Sequence, residues 1–440
     1  MQGSAAPSPS VAAPALSRRR LALLLVGMVL VAINLRAIIT IVGPLIGDIR
    51  ADLDLSRSAA GLLTALPLVA FGLVSPLAPR LARRFGSDRT LVVAMLVMAA
   101  WLALRPLPPL ALLFLGTLAA GCGAAIANVL LPALIKRHFP ERAAFLVATY
   151  SVVLGIGAAI AAGFAVPSMD WLGGSWRAAL GIWAIPALLG ALAWLPQMRR
   201  EPARRRSDAG PRVHVQLWRD RVAWQVTGFL AFMALLFYSM AAWLPDIYHA
   251  EGLSSASAGG LLSISLVVGL PLGLMVGVAA ERLDDQRPIV LVSVAFLLVG
   301  WLGVLLAPMA SPWLWVALLG CGFGIGFPLV LTLMVLRAPD VRHAAELSGM
   351  AQSAGYSVAA LGPVLIGALH DLSGSWTLPL IVLVACTGPA LVLGLGGGKP
   401  RFVGDGGPGG PAAGRRAAAP RIVGLDPAVL EAARSTRPDE

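Results

Sequence analysis

Twelve long apolar runs divide this chain, at about residues 21–46, 59–79, 88–105, 109–136, 142–165, 175–196, 221–244, 256–280, 288–307, 312–336, 343–368 and 374–396. Each is long enough to cross a bilayer core of about 30 Å as a helix rising about 1.5 Å per residue. In hydrocarbon every backbone N–H and C=O needs an internal partner, which leaves the α-helix as the spanning form for runs of this length. Composition agrees. Of 440 residues, 58% are hydrophobic and 13% charged, with a mean hydropathy of +0.81, which excludes an ordinary soluble domain.

The net charge of +12 reports topology and not a nucleic-acid surface, because the basic residues interrupt the apolar runs instead of forming a patch. Twelve spans put 29 of the 34 Lys and Arg on one side, four (Arg50, Arg57, Arg105, Arg177) on the other, and Arg36 inside the membrane. The positive-inside bias then sets both termini and the middle loop in the cytoplasm of a bacterial plasma membrane.

Residues 1–17, rich in Ala, Pro and Ser, are expected to be disordered. No A-x-A cleavage site precedes Arg50, so the run after Arg18 reads as a retained first span. Residues 18–196 are expected to form one six-helix bundle, 197–220 a basic cytoplasmic linker, 221–396 a second bundle, and 397–440 a disordered tail.

Arg36 is the residue that most demands an explanation. With the span entering at Leu21, it lies about 22 Å along the axis, too deep to reach either surface easily. A guanidinium at that depth costs at least about 2.5–3.5 kcal/mol unless it faces a wet cavity or a partner. It reads as a cavity residue that holds substrate, the alternative being a structural arginine tied to backbone carbonyls at the broken end of the first span. Thr40 shares its face at i,i+4; Asn34 points elsewhere and reads as packing.

The halves echo each other. Ser56-x-Ser58-Ala59-x-Gly61-Leu62-Leu63 matches Ser255-x-Ser257-Ala258-x-Gly260-Leu261-Leu262, and Gly121-Cys122-Gly123-x-x-Ile126 matches Gly320-Cys321-Gly322-x-x-Ile325. Two parallel six-helix repeats around a basic loop are the pattern of a transporter with its site between the halves.

Longer motifs carry a closer resemblance: Asn34-Leu35-Arg36-x-x-Ile39-Thr40-x-Val42-Gly43-Pro44, then Ala78-Pro79-Arg80-Leu81-Ala82-Arg83-Arg84-Phe85-Gly86, then Asn128-Val129-Leu130-Leu131-Pro132-x-Leu134-Ile135-Lys136-Arg137-x-Phe139-Pro140, and Gly355-Tyr356-Ser357 with Gly362-Pro363. Over about 30–395 the chain resembles the cyanate and nitroimidazole (CynX/NimT) branch of the major facilitator superfamily. The resemblance implies an all-α membrane protein of twelve helices and a permease or exporter for a small polar or anionic solute. A proton-driven efflux antiporter is the alternative. Two departures from the superfamily pattern weaken the alternative. Arg83 stands where the loop after span two usually has an aspartate, so the acidic switch there is missing, and span five lacks the Gly-Pro motif of drug/proton antiporters.

Other polar residues within the spans are substrate-site candidates. Asn128 precedes Pro132 and reads either as a cavity residue or as a partner for a carbonyl that the proline frees. Tyr150, Tyr356 and Gln352, the last one turn from Tyr356, read as cavity residues or as satisfied packing residues. Tyr238 reads as a site residue or as part of an aromatic belt. Pro44, Arg83, Arg84, Pro132, Glu281, Arg282, Gly362 and Pro363 are candidates for gating. Asp246 and Asp48, at outer span ends, read as solvated. Spans three, six, nine and twelve are almost wholly apolar and should face lipid.

No zinc-ligand spacing, aspartate pair or Ser/His arrangement appears, so neither an enzyme nor a metal site is expected, and no cofactor. The expected partners are a small-molecule substrate and the bilayer, with no nucleic acid, in a monomer. No carboxylate sits centrally in any span, which leaves proton coupling open.

Overall fold

The computed structural model describes residues 18–139, 143–198, 217–339 and 341–404. The linker and tail expectations for 199–216 and 405–440, and the N-terminal one for 1–17, lie outside the described residues. Helices dominate, in the order α1 (Arg18–Thr40), α2 (Val42–Leu53), α3 (Arg57–Val74), α4 (Ala78–Phe85), α5 (Ser87–Leu104), α6 (Leu110–His138), α7 (Ala143–Trp171), α8 (Trp176–Gly181), α9 (Ala184–Met198), α10 (Arg221–Ala250), α11 (Ser255–Arg282), α12 (Arg287–Leu306), α13 (Pro312–Leu336), α14 (Val341–Ala359), α15 (Leu361–Ser373) and α16 (Thr377–Gly397). Twelve of these, counting broken pairs once, are long and apolar enough to span a membrane.

Proline sets two of the breaks. A proline cannot donate to the carbonyl four residues back. Four residues before Pro44 is Thr40, where α1 ends, and four before Pro363 is Ala359, where α14 ends. The apolar runs expected at 21–46 and 343–368 are therefore each divided between two helices, with the joint inside the run. Serine and aspartate close the starts: Ser56 accepts from Ala59 N at α3, Asp220 from Ala223 N at α10, and Ser254 from Ser257 N at α11.

The internal repeat is visible as packing. Gly121 on α6 sits against Pro67 on α3, and Gly320 on α13 against Ser265 on α11, the same crossing made once in each half. The two halves meet along α3 with α14 and α15, and α7 with α11. Helices α5, α9, α12 and α16 pack within their own half and expose Val93, Leu189, Leu291 and Val392, as the apolar third, sixth, ninth and twelfth runs led one to expect. The most enclosed span is α10.

Candidate substrate site between the two halves

Arg36 lies on α1, one turn before the Pro44 break. Its Nη1 donates to the Tyr238 hydroxyl of α10 at 2.7 Å, across the boundary between halves. The guanidinium carbon stands 5.8 Å from the ring centres of Phe237, Tyr238 and Phe327. Among the described residues no carboxylate lies within ion-pair distance of it. The side chain is partly exposed, and it is not tied to backbone carbonyls as the structural alternative required.

Around it the aromatic side chains interlock. Phe237 packs edge-on against Tyr238, Phe323 and Phe327 at 5.1–5.3 Å, Tyr238 lies 6.3 Å from Tyr356, and Tyr356 lies 5.8 Å from Phe71. Tyr356 makes no hydrogen bond among the described residues. Its hydroxyl is a free donor and acceptor beside the arginine. Tyr150 and Tyr356 both lie within electrostatic range of the guanidinium. Tyr150 donates to Asn128 Oδ1 at 2.8 Å, which leaves the Asn128 amide NH2 free to face a solute. Gln352 donates to Ser348 at 2.8 Å, leaving its carbonyl oxygen as an acceptor.

One substrate-site candidate stands elsewhere. Thr40 is fully buried, and its hydroxyl donates to Arg36 O and Ala158 O, so it packs the end of α1 onto α7. Tyr238 is 3% exposed and holds Arg36 across the boundary between halves, so the aromatic-belt reading fails. Asn34 packs as expected, donating to Leu30 O.

The ion pairs that join the halves, among the described residues, all lie at the end of the bundle away from the termini. Asp246 of α10 takes Arg57 at 3.3 Å and Arg50 at 3.9 Å, and Asp371 of α15 accepts from the Arg57 and Ser58 backbone N–H at 3.0 and 2.8 Å. Asp246 is only 9% exposed, which corrects its reading as a solvated end residue. Beside this cluster Pro363 O accepts from Trp243 Nε1 at 2.8 Å, and Gly362 is pressed against Leu235 and Ser239 of α10.

The other gating candidates divide. Pro44 and Pro363 sit at the helix breaks and in the closed contact. Pro132 stays inside an unbroken α6. Arg83 and Arg84 are exposed at the end of α4, and Arg84 lies over the neighbouring Phe85 ring at 5.2 Å. Arg282 is exposed, while the side chain of Glu281 lies outside the description. The acid nearest in sequence after position 83 is Asp88. That carboxylate is buried and bonded to Trp194 at 2.9 Å, His138 at 3.0 Å and Arg137 at 3.2 Å, all within its own half.

The arrangement of two six-helix repeats is matched by sequence comparison. The Major Facilitator Superfamily family model covers residues 24–363. The chain belongs to that superfamily. It is 39% identical over 388 residues to the "2-nitroimidazole transporter" of Escherichia coli K12, covering 88% of this chain and 98% of that protein. It is 30% identical over 384 residues to the "Cyanate transport protein CynX" of the same organism (86% and 98%), and 39% identical over 384 residues to the "Uncharacterized transporter YycB" of Bacillus subtilis 168 (86% and 94%). Its fold matches a bacterial homologue of the human lysosomal transporter Spinster with TM-score 0.70 at 15% identity, over 87% of this chain and 97% of that one. It is a transporter resembling the CynX/NimT group, and not an enzyme.

Proposed function

We propose that this protein is a secondary carrier that moves a small anionic or acceptor-rich solute by alternating access, binding it at Arg36. The observation that supports this most directly is the guanidinium itself: within the bundle, at the boundary between halves, with the Tyr238 phenol and the Phe237 and Phe327 rings around it and, among the described residues, no carboxylate in reach. Arginine's planar fork gives two parallel hydrogen bonds to a carboxylate-like or nitro-like group, and a fixed charge in a low-dielectric cavity attracts anions. A cyanate-like anion and a nitro-heteroaromatic both present such acceptors, and the aromatic wall suits a flat ring. Asn128, Tyr356 and Gln352 contribute neutral bonds, and Tyr150 positions Asn128.

In this reading the end that carries Asp246 and Asp371 is the outer one, both termini are cytoplasmic, and the structure is the state closed to the outside. The decisive experiment is binding to purified protein of cyanate, 2-nitroimidazole and a panel of small organic anions, with thermal stability followed in parallel. Arg36→Lys keeps the charge and loses the fork, and is expected to weaken binding about tenfold. Arg36→Ala is expected to weaken it about a hundredfold or more, the equivalent of one or two charge-assisted bonds at roughly 1.5–3 kcal/mol each. A stable Arg36→Ala protein with unchanged affinity for every bound probe would overturn the reading.

A further inference from the structure

The Arg36–Tyr238 hydrogen bond joins α1 of one half to α10 of the other. Among the described residues it is the only hydrogen bond the guanidinium makes, and the remaining contacts are the faces of Phe237, Tyr238 and Phe327. A carrier that exposes its site to each side in turn passes through a state in which the site is sealed from water. A bound anion neutralises the arginine in that state. An empty carrier has no anion, and a bare guanidinium sealed in low dielectric is strongly disfavoured unless another group takes the place of water. Without such a group the empty protein stays on one side and only exchange is allowed.

We infer that Tyr238, backed by the Phe237 and Phe327 rings, is a displaceable internal ligand of Arg36 that lets the empty carrier reorient, so the protein carries net flux of its solute as well as exchange. The inference rests on Arg36 being the solute site. The phenol is suited to the role. It accepts one guanidinium N–H without carrying a charge of its own, so an anion, which does carry one, displaces it. Because it sits on the opposite half, its bond is made as the halves come together around the site.

The test follows the empty protein directly, so it needs no knowledge of the solute. Donor and acceptor dyes are placed at Ala51→Cys on α2 and Glu251→Cys at the end of α10, both exposed and on opposite halves. The background has Cys122, Cys321 and Cys386 replaced by Ala. Single-molecule energy transfer in liposomes then reports opening and closing of that end without any added anion. Tyr238→Phe, which keeps the ring and its packing, is expected to slow interconversion at least about tenfold. Arg36→Met combined with Tyr238→Phe is expected to restore the rate, because no charge is left to seal. Wild-type rates in Tyr238→Phe, or a double variant as slow as the single one, would overturn the inference. Anion binding lost in Arg36→Ala together with normal rates in Tyr238→Phe would refute this inference and leave the proposed solute site standing.

Discussion

Asp246 shows how one residue can change meaning between sequence and structure. On its own helix it is a terminal carboxylate near a loop, and nothing in the local pattern names Arg50 and Arg57, which reach it from the other half. Those arginines are about a fifth to a quarter exposed, so solvent screens part of the attraction. Asp246→Asn keeps an acceptor and removes the charge. It is expected to disfavour closure of this end by about 1 kcal/mol, roughly fivefold in the ratio of states. Spin labels at Ala51→Cys and Glu251→Cys would show it as growth of the longer-distance population in the empty protein. Arg36 was legible for the opposite reason: a charge in an apolar run is costly wherever it points, so it stands out without knowledge of its neighbours. The aromatic wall of Phe71, Phe237, Phe323 and Phe327 was not legible, because a phenylalanine in a spanning helix reads the same whether it meets lipid, core or cavity.

Among the elements, the twelve spans and the lipid-facing set followed from hydropathy alone; the break in span eleven was not expected, although Pro363 places it. Nor was the end of the last helix. Beyond α16, residues 398–404 dock on the second half. Arg337, only 5% exposed, donates to Gly397 O and Gly398 O at 2.9 Å each and bonds Gln286, with burial pulling its pKa down. Val403 N donates to Arg337 O at 2.8 Å with its side chain 2% exposed, and Gly404 N donates to the Asp220 carboxylate, the same group that caps α10. A Gly- and Pro-rich segment gives no periodicity to announce such a contact. The packed chain therefore runs past residue 397, where the tail was expected to begin, as far as Gly404. Truncation after Gly404 is expected to leave thermal unfolding in detergent unchanged. Truncation after Lys399 removes the buried Val403 and is expected to lower stability by about 2 kcal/mol.

At the scale of the whole molecule, the closed end is built twice, once from each half. A Cβ on Gly61 of α3 would stand 2.5 Å from Pro363 O, and one on Gly259 of α11 would stand 3.2 Å from Pro44 Cβ. In each case a glycine of one half meets the helix-breaking proline of the other. The sequence repeat pairs Gly61 with Gly260, where a Cβ meets nothing within 4 Å. The partner moved by one because α11 starts from Ser254 and α3 from Ser56, an offset of 198 where the sequence echo runs at 199. Identical letters therefore have opposite tolerances. Gly61→Val places a branched side chain against backbone that cannot retreat without separating α3 from α15, so the halves can approach at this end only by distorting a helix. It is expected to hold the end open: the Ala51–Glu251 label distance lengthens, liposome flux of a probe bound by the wild type falls more than tenfold, and affinity for that probe stays within about threefold, because Arg36 and its neighbours are untouched. Gly260→Ala, in open space and with helix propensity improved by up to about 1 kcal/mol, is expected to transport like the wild type. Normal flux in Gly61→Val, in a protein shown to be folded, would mean that this contact is not part of the transport cycle; equal loss in Gly260→Ala would mean that the glycines matter for helix assembly and not for closure.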